Sequence, residues 1–376
     1  MLRSFIFLVL AASAFGAEAP MQHQHAAGSG DVSLDVYASD NTVDLLTARS
    51  AEGKIQLWHQ RSGDGGENWS VPARVDLTES PPFSPHRGND PQIAAVGDRI
   101  LAAWTTAGDD AWGSGPIATA LSLDGGKTWS AGANPADDGL LGGHGFMDLA
   151  ADAAGKFHLV WLDSRDGQQG LRYARSADGK QWTVNRTLKA VTCECCPNSF
   201  AVSADRLAVL YRSRDPRDMH VMVSPNAGLT WPVDASAADF GWQFNGCPHS
   251  GGGIAFANGN LHALVWTGQT SNVGVHYVAS DDGGLTWAKP RRLGEVDASH
   301  PDLASDGKRL AAAWESGGGI WAAIASGEGK WAQPRLLSKI GSWPRVIHTG
   351  TGFRAFWTEE AEDKKQIWRS RLVEAP

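Results

Sequence analysis

The residues of this chain best suited to bind a metal are histidines and cysteines in short polar segments that lead into apolar runs. They are His86, His144, His249 and His300, together with Cys195, Cys196 and Cys247. Imidazole is a common ligand of copper, zinc and iron, and thiolates favour copper(I). If the fold gathers these segments, we predict a transition-metal site with copper as the favoured ion. Two other interpretations stay open, because such histidines also cap loops by bonding backbone carbonyls or act as acid–base catalysts.

The four cysteines also allow a covalent interpretation. Cys193, Cys195 and Cys196 lie almost side by side, and Cys247 follows much later in the chain. In an oxidising compartment four cysteines form two disulfides, and three pairings exist. We expect one bridge from the cluster to Cys247 and one inside the cluster. A soft-metal thiolate site and free thiols remain as alternatives.

Charged residues that follow several apolar runs suggest a different chemistry. The candidate catalytic and substrate-binding residues are Asp163, Glu315, Arg165, Arg212 and Arg214. Arginines hold a carboxylate or sulfate through paired hydrogen bonds, and two suitably spaced carboxyl groups hydrolyse glycosidic bonds. These residues therefore predict a site for acidic sugars. The competing interpretation is that the arginines and aspartates neutralise one another on solvated loops.

An internal repeat indicates which elements position these segments. The pattern Ser-x-Asp-Gly-Gly-x-Thr-Trp occurs in full at 122–129 and 280–287, and degenerate copies occur at 62–69, 176–182, 224–231 and 326–331. In such a turn the aspartate accepts bonds from backbone N–H groups and the glycines adopt positive φ. The tryptophan then packs beneath the turn. Each copy predicts a hairpin, and the spacing predicts a series of similar β units.

These turns resemble the Asp box, or BNR repeat, of the sialidase superfamily and related β-propellers. The resemblance implies an all-β fold, a β-propeller of four-stranded antiparallel blades that carry Asp-box turns. We count seven repeat units, which start near residues 31, 90, 146, 197, 251, 300 and 343, and keep six blades as the alternative. The last unit has three strands, so it is closed by the N-terminal segment or left incomplete. In that family the Asp boxes lie on the face away from the ligand.

The catalytic set of the sialidase family is not evident here. The resemblance implies an early Arg-Ile-Pro motif, a tyrosine nucleophile paired with a glutamate, and an aspartate as acid–base, but the chain contains no Arg-Ile-Pro. The tyrosines are Tyr37, Tyr173, Tyr211 and Tyr277. Each falls where the repeat explains it structurally, and none lies in the last unit. We therefore expect the fold without that catalytic set.

The start of the chain is typical of an exported protein. Residues 1–17 combine an early cation, an apolar run and small residues, as a signal peptide does. Residues 18–30 predict a flexible segment that carries His23 and His25, and residues 31–376 predict a single β-propeller domain. We expect a secreted or periplasmic monomer, because no later apolar run is long enough to span a membrane. The formal net charge of −8 argues against nucleic acid as a partner.

Three functions fit this sequence. The first is a non-hydrolytic binding protein whose His/Cys-lined channel mouth holds a small ligand or a transition metal, with copper favoured. The alternative is a glycoside hydrolase of exo-sialidase-like type, or a lectin, that acts on acidic glycans. The third is a periplasmic assembly or scaffold factor that docks another protein. Copper or another transition metal is the cofactor that we predict.

Overall fold

The computed structural model describes residues 29–76, 80–110 and 113–373, and the regular elements in these ranges are β-strands. The predicted signal peptide (1–17) lies outside the described residues, as do His23 and His25. The described part of the chain contains no helix that could cross a bilayer.

The strands group into consecutive units. The first four units contain β1 (Gly30–Ser39), β2 (Thr42–Ala51), β3 (Lys54–Ser62) and β4 (Ala73–Arg74); β5 (Gln92–Val96), β6 (Arg99–Ala107), β7 (Ser114–Ser122) and β8 (Ser130–Ala131); β9 (His144–Ala151), β10 (Phe157–Asp163), β11 (Gly170–Ser176) and β12 (Arg186–Lys189); and β13 (Ser199–Ser203), β14 (Arg206–Arg212), β15 (Met219–Ser224) and β16 (Val233–Ser236). The last three contain β17 (Gly252–Ala257), β18 (Asn260–Thr267), β19 (Gly274–Ser280) and β20 (Arg291–Arg292); β21 (Ser299–Ser305), β22 (Arg309–Ser316), β23 (Gly319–Ser326) and β24 (Arg335–Ser338); and β25 (Ser342–Thr349), β26 (Gly352–Glu360) and β27 (Gln366–Val373).

Units two to six are separate four-stranded sheets in which consecutive strands pair antiparallel. The first and seventh units share one sheet, because Gly30 at the start of β1 forms a parallel bridge with Gln366 of β27. The backbone N–H of Gln366 also donates to the carbonyl of Ser29 at 2.8 Å. In the described part of the chain the seventh unit therefore has three strands, and β1 contacts its outer strand through one bridge.

The seven units surround one axis. The first strand of each unit contacts the first strand of the next, and β25 contacts β1, which closes the ring. A cluster of buried apolar side chains fills the space between each pair of consecutive units. Since each sheet is covered on both faces, its second strand is nearly continuously apolar, as in 101–104. The predicted all-β propeller is confirmed.

The Asp-box turns form as the sequence predicts. In the second unit Asp124 accepts bonds from the backbone N–H and the hydroxyl of Thr128, at 2.9 and 2.7 Å. The hydroxyl bond from Thr128 is the main reason why the pKa of Asp124 falls to about 2. Gly126 has a φ of +85°, and a Cβ atom there would lie 2.0 Å from the His59 ring of the first unit. A glycine is therefore required both by the turn and by the neighbouring unit.

The tryptophan of each turn packs on the preceding unit. Trp129 meets the ring of His59 edge-on at 5.4 Å, and Trp231 meets Tyr173 in the same way at 5.1 Å. Trp331 meets Tyr277 at 5.4 Å. The turn thus joins its own hairpin to the sheet of the preceding unit.

Aspartates at one position of the repeat join the first strands to one another. The bonds run from the N–H of Ile93 to Asp35 at 2.9 Å, from Phe200 to Asp148 at 2.6 Å and from Val346 to Asp302 at 2.7 Å. In each pair the carboxylate belongs to one unit and the N–H to the next. Burial raises the pKa of Asp148 to about 7 and that of Asp35 to about 6. These axial carboxylates hold the ring together.

Candidate functional site

The mouth of the channel consists of the loops that lead into the first strands and the loops that join the second and third strands. In an antiparallel sheet these loops meet at one end. Two loops that lead into β13 and β17 bring all four cysteines together. The Sγ atoms of Cys193, Cys195 and Cys196 lie within 4.8 Å of one another, and so do Cys195 Sγ, Cys247 Sγ and a ring nitrogen of His249. We call these five residues the thiol cluster.

The thiol cluster is buried at one end and open at the other. Cys193 and Cys196 are each 1% exposed, whereas Cys247 is exposed. The four cysteines are free thiols, and Cys193 Sγ lies 2.7 Å from Cys196 Sγ. The two predicted disulfides are therefore not found in this structure. The predicted convergence of Cys247 with the other three cysteines is present.

A buried arginine lies behind the thiols. Arg217, on the loop between β14 and β15, donates from Nη1 to Cys193 Sγ and from Nη2 to Glu194 Oε2, both at 3.0 Å. Its Nε donates to the carbonyl of Phe244 at 2.7 Å, which fixes the guanidinium. Bonds from the neighbouring thiols of Cys195 and Cys196 lower the pKa of Cys193. A thiolate at Cys193 is thus favoured beside a fixed positive charge.

Two histidine rings cover the open side. His249 has a φ of +49°, a conformation that few residues other than glycine adopt, and its ring stacks on His86 at 6.5 Å. Phe146 contacts the His249 ring at 6.3 Å and packs on the buried cysteines. His86 Nδ1 lies 3.1 Å from the carbonyl of Ser84. Of the four histidines predicted as ligands, His249 and His86 are the two at the thiol cluster.

The other two histidines belong to separate networks. His144 donates from Nδ1 to the carbonyl of Gly142 at 2.6 Å, and its Nε2 lies 3.1 Å from Asp138 Oδ2. His300 Nδ1 lies 2.9 Å from Glu315 Oε2, and its ring stacks on Trp343 at 3.6 Å. The structure does not bring all four histidines into one group, because His144 and His300 contact carboxylates and a carbonyl of their own units.

Asp163 is surrounded by cations and is not free for acid–base chemistry. It accepts bonds from Arg165 Nη2 at 2.7 Å, from Arg172 Nε at 2.9 Å and from the Trp161 indole at 2.8 Å. Burial would raise the pKa of Asp163, but the bonds from Arg165 and Arg172 outweigh it and lower the pKa. Asp138, His144 and Asp163 approach within 4.8 Å, so we call them, with Arg165 and Arg172, the charged network.

The remaining predicted catalytic residues are also engaged by the protein. Arg212 is 1% exposed and donates to the carbonyls of Arg217, Ser250 and Trp266, which ties the loops of the fourth and fifth units together. Arg214 is on the surface, where it bonds Gln168 at 2.9 Å and faces Glu194 at 3.3 Å. Glu315 accepts from His300. The contact of Arg214 with Glu194 agrees with the interpretation that arginines and carboxylates neutralise one another, whereas Arg212 is held by backbone carbonyls.

A small polar cavity of about 40 Å³ opens on the axis. Its lining includes Asp90, Asp302, Arg345, Trp343, Gln92 and Asn198. The side-chain oxygens of Gln92 and Asn198 are buried and have no partner among the described residues. The cavity has room for water molecules but is much smaller than the pockets that enclose drug-sized ligands.

No protein-family model matches this chain, and no curated protein matches it. Among solved structures, it is similar to an α-L-arabinanase of Penicillium chrysogenum in complex with arabinobiose, with a TM-score of 0.53 and 15% identity over 80% of this chain and 94% of that chain. An ulvan lyase of family PL25 has a TM-score of 0.60 and 10% identity, over 92% of this chain and 95% of that chain. A protein of unknown function from Dyadobacter fermentans has a TM-score of 0.51 and 14% identity, over 91% of this chain and 95% of that chain. At these identities the likeness shows the fold, which this chain shares with propellers that include glycan-acting enzymes.

Proposed function

We propose that this protein binds a soft transition-metal ion, with copper(I) favoured, at the thiol cluster. The observation that carries the proposal is the approach of Cys195 Sγ, Cys247 Sγ and a His249 ring nitrogen to within 4.8 Å, beside the Sγ atoms of Cys193 and Cys196. Thiolates select copper(I), zinc and iron–sulfur clusters, and imidazole is a borderline ligand that suits copper and zinc.

The surroundings of the thiols support this role. Cys247 is exposed and His249 is half-buried, whereas Cys193 and Cys196 are buried and pack on Phe146, with Arg217 bonded to Cys193. Metal binding to thiols releases protons, and the positive charge of Arg217 favours the thiolate form that binds. The metal would thus be held by Cys195, Cys247 and His249, with the buried thiols of Cys193 and Cys196 beside it.

The test is a copper(I) titration of untagged, reduced protein against a chromogenic chelator. We expect one tightly held ion per chain and loss of that ion in the Cys195→Ser/Cys247→Ser double variant. The His300→Gln variant is the matched control, because His300 lies in another network, and it should bind as the parent does. A parent that binds no copper(I), or a double variant that binds it equally well, would overturn the proposal. Equal or tighter binding of zinc would overturn the choice of ion.

We propose in addition that residues 1–17 direct export and that the mature protein is a monomer. In an oxidising compartment a bound metal would keep the four thiols from pairing. N-terminal sequencing of protein recovered from the producing cells should begin after the signal segment, and light scattering should give the mass of one chain. A mature protein that retains Met1, or an oligomer, would contradict these statements.

A second candidate function is recognition of an acidic glycan across the mouth, as a member of the sialidase superfamily. It is favoured by the likeness in fold to an arabinanase and an ulvan lyase and by the stacked rings of His300 and Trp343 beside Arg345. Because Asp163 and Glu315 are engaged, we expect binding without hydrolysis. Chromogenic sialosides and uronides should stay intact, while the sugars themselves should bind the parent and not Trp343→Ala. Absence of sugar binding would remove this candidate.

A further inference from the structure

A second cavity, larger than the axial one, lies beside the incomplete seventh unit. It measures about 290 Å³, and its lining includes Arg335, Arg354, Arg371, Ser370, Glu67 and Leu336. Glu67 belongs to the Asp-box turn of the first unit, and Arg335 begins β24 directly after the last such turn. The cavity is therefore on the side away from the thiol cluster.

Among the described residues no fourth strand pairs along β27, and this explains why there is a cavity at this place. In the sixth unit β24 pairs with β23 from Ile320↔Ser338 to Ala322↔Arg335. In the seventh unit the corresponding side of β27 has only the bridge to Gly30 among the described residues. Residues 370–372 of β27 line the cavity. The groove thus follows the edge on which a fourth strand lies in other units, and the sixth, seventh and first units all border it.

The lining is positively charged although the chain as a whole is acidic. Three guanidinium groups meet a single carboxylate among the residues that line the cavity, in a chain with a formal net charge of −8. Arg354 is 5% exposed and donates to Ser370 Oγ at 3.2 Å and to the Glu67 carboxylate. Arg371 donates one bond, from Nη1 to the carbonyl of Leu337 at 2.9 Å. Such a local field attracts anions.

The carboxylate of Glu67 is the anionic partner of Arg354 in this structure. Its side chain is 60% exposed, so it can leave the site at little cost, whereas Arg354 is held in place beneath it. Guanidinium groups bind carboxylate, sulfate and phosphate through two parallel bonds. The cavity volume is close to that of the smaller pockets that enclose organic ligands.

We propose that this cavity binds the oxyanion group of a small ligand, a carboxylate, sulfate or phosphate, which replaces Glu67 as the partner of Arg354. Arg335 and Arg371 would approach the anion from the two sides of the groove. The site is independent of the thiol cluster.

The test is calorimetric titration with sodium sulfate, sodium phosphate and glucuronate at constant ionic strength, with sodium chloride as the blank. At least one of these anions should bind saturably, and the one bound most tightly identifies the group. Arg335→Gln/Arg371→Gln, which changes two exposed residues and spares the buried Arg354, should weaken binding about tenfold or more. Glu67→Gln should tighten binding about threefold or more, because it removes the competing carboxylate.

Lys330→Gln is the matched control, because Lys330 is an exposed cation of the sixth unit whose side chain is 80% exposed. It should bind like the parent. The proposal is overturned if none of the three anions binds saturably, if Lys330→Gln loses as much affinity as the arginine variant, or if Glu67→Gln binds more weakly than the parent. Thermal unfolding of each variant shows whether it is folded, and copper(I) binding should be unchanged in all of them.

Discussion

The thiol cluster and the charged network occupy loops at the same end of the propeller, yet their side chains are used differently. In the charged network both oxygens of Asp163 accept bonds from arginines, at 2.9 Å from Arg172 to Oδ1 and at 2.7 Å from Arg165 to Oδ2. In the thiol cluster the Sγ atoms contact one another and Arg217. In the charged network the carboxylate is neutralised by arginines. In the thiol cluster the thiols can still release protons to a metal ion.

This difference decides which of the two groups can take a metal. An ion that entered the charged network would have to displace an arginine, and a buried guanidinium without its carboxylate is costly. An ion that enters the thiol cluster displaces protons from thiols, and the chain keeps its other contacts. Short distances between potential ligands are therefore not sufficient to identify a metal site. The hydrogen bonds and ion pairs that each ligand already makes must be considered as well.

The largest effect that separates the two regions is expected for Asp163→Asn. It leaves Arg172, which is fully buried, without its main carboxylate, so the free energy of unfolding should fall by about 3–5 kcal/mol. Asp166→Asn is the control, since Asp166 also contacts Arg172, at 3.0 Å, but its side chain is 59% exposed; it should cost about 1 kcal/mol or less. Urea denaturation measures both. Equal losses would show that the network does not depend on the buried pair.

A smaller effect is expected for Arg217→Gln, which acts on the thiol cluster. Removal of the charge that contacts Cys193 Sγ should raise the pKa of that thiol and weaken copper(I) about 10- to 100-fold. The rate of alkylation against pH reports the thiol pKa, and Arg217→Lys should restore part of the affinity. Arg214→Gln, an exposed arginine near the same Glu194, should change neither quantity. An unchanged alkylation profile in Arg217→Gln would show that Arg217 has only a structural role.

The pH dependence of stability tests the axial aspartates. Burial raises the pKa of Asp148 from 3.8 to about 7, so the native state holds a proton that the unfolded state has lost between these values. This contribution to stability is present at pH 4 and is lost progressively as the pH rises through 7.

Asp148→Asn keeps an oxygen for the N–H of Phe200 and should flatten the curve between about pH 4 and 7. Asp281→Asn, in an exposed turn, is the control and should leave the curve as it is. Thermal unfolding across this range gives the measurement. A parent and an Asp148→Asn variant with the same slope would contradict the assignment.

The fold could be predicted from the sequence because its determinants are local. The contacts of the turn all lie within eight residues and involve Ser122, Asp124, Gly126 and Trp129. A short motif is therefore sufficient to predict the turn. The convergence of Cys195 with Cys247 could be predicted as well, since both precede a first strand of the repeat.

The partners of individual side chains could not be predicted in the same way. Whether a histidine binds a thiol neighbour or a carbonyl depends on the direction of its side chain, which the repeat position does not determine. Arg217 reaches Cys193 because the loop from β14 to β15 folds over the segment that leads into β13, and no motif records this contact. Asp35 was missed for the same reason, since its partner Ile93 is in the next unit. The disulfides were expected from the compartment, whereas the structure has thiols.

The smallest of these effects, in His300→Gln, is also the most direct way to break the comparison. His300 shares its repeat position with His249, and its φ of +48° matches the +49° of His249. It loses a stacked ring at 3.6 Å from Trp343 and a bond to Glu315, so we expect a cost of about 1 kcal/mol in the free energy of unfolding and unchanged copper(I) affinity. His249→Ala should show the opposite pattern, with copper(I) bound more weakly and stability almost unchanged. If His300→Gln weakened copper(I) binding as much as His249→Ala, the whole mouth would act as one site. The bonds that a side chain already makes would then not explain why the thiol cluster binds a metal and the charged network does not.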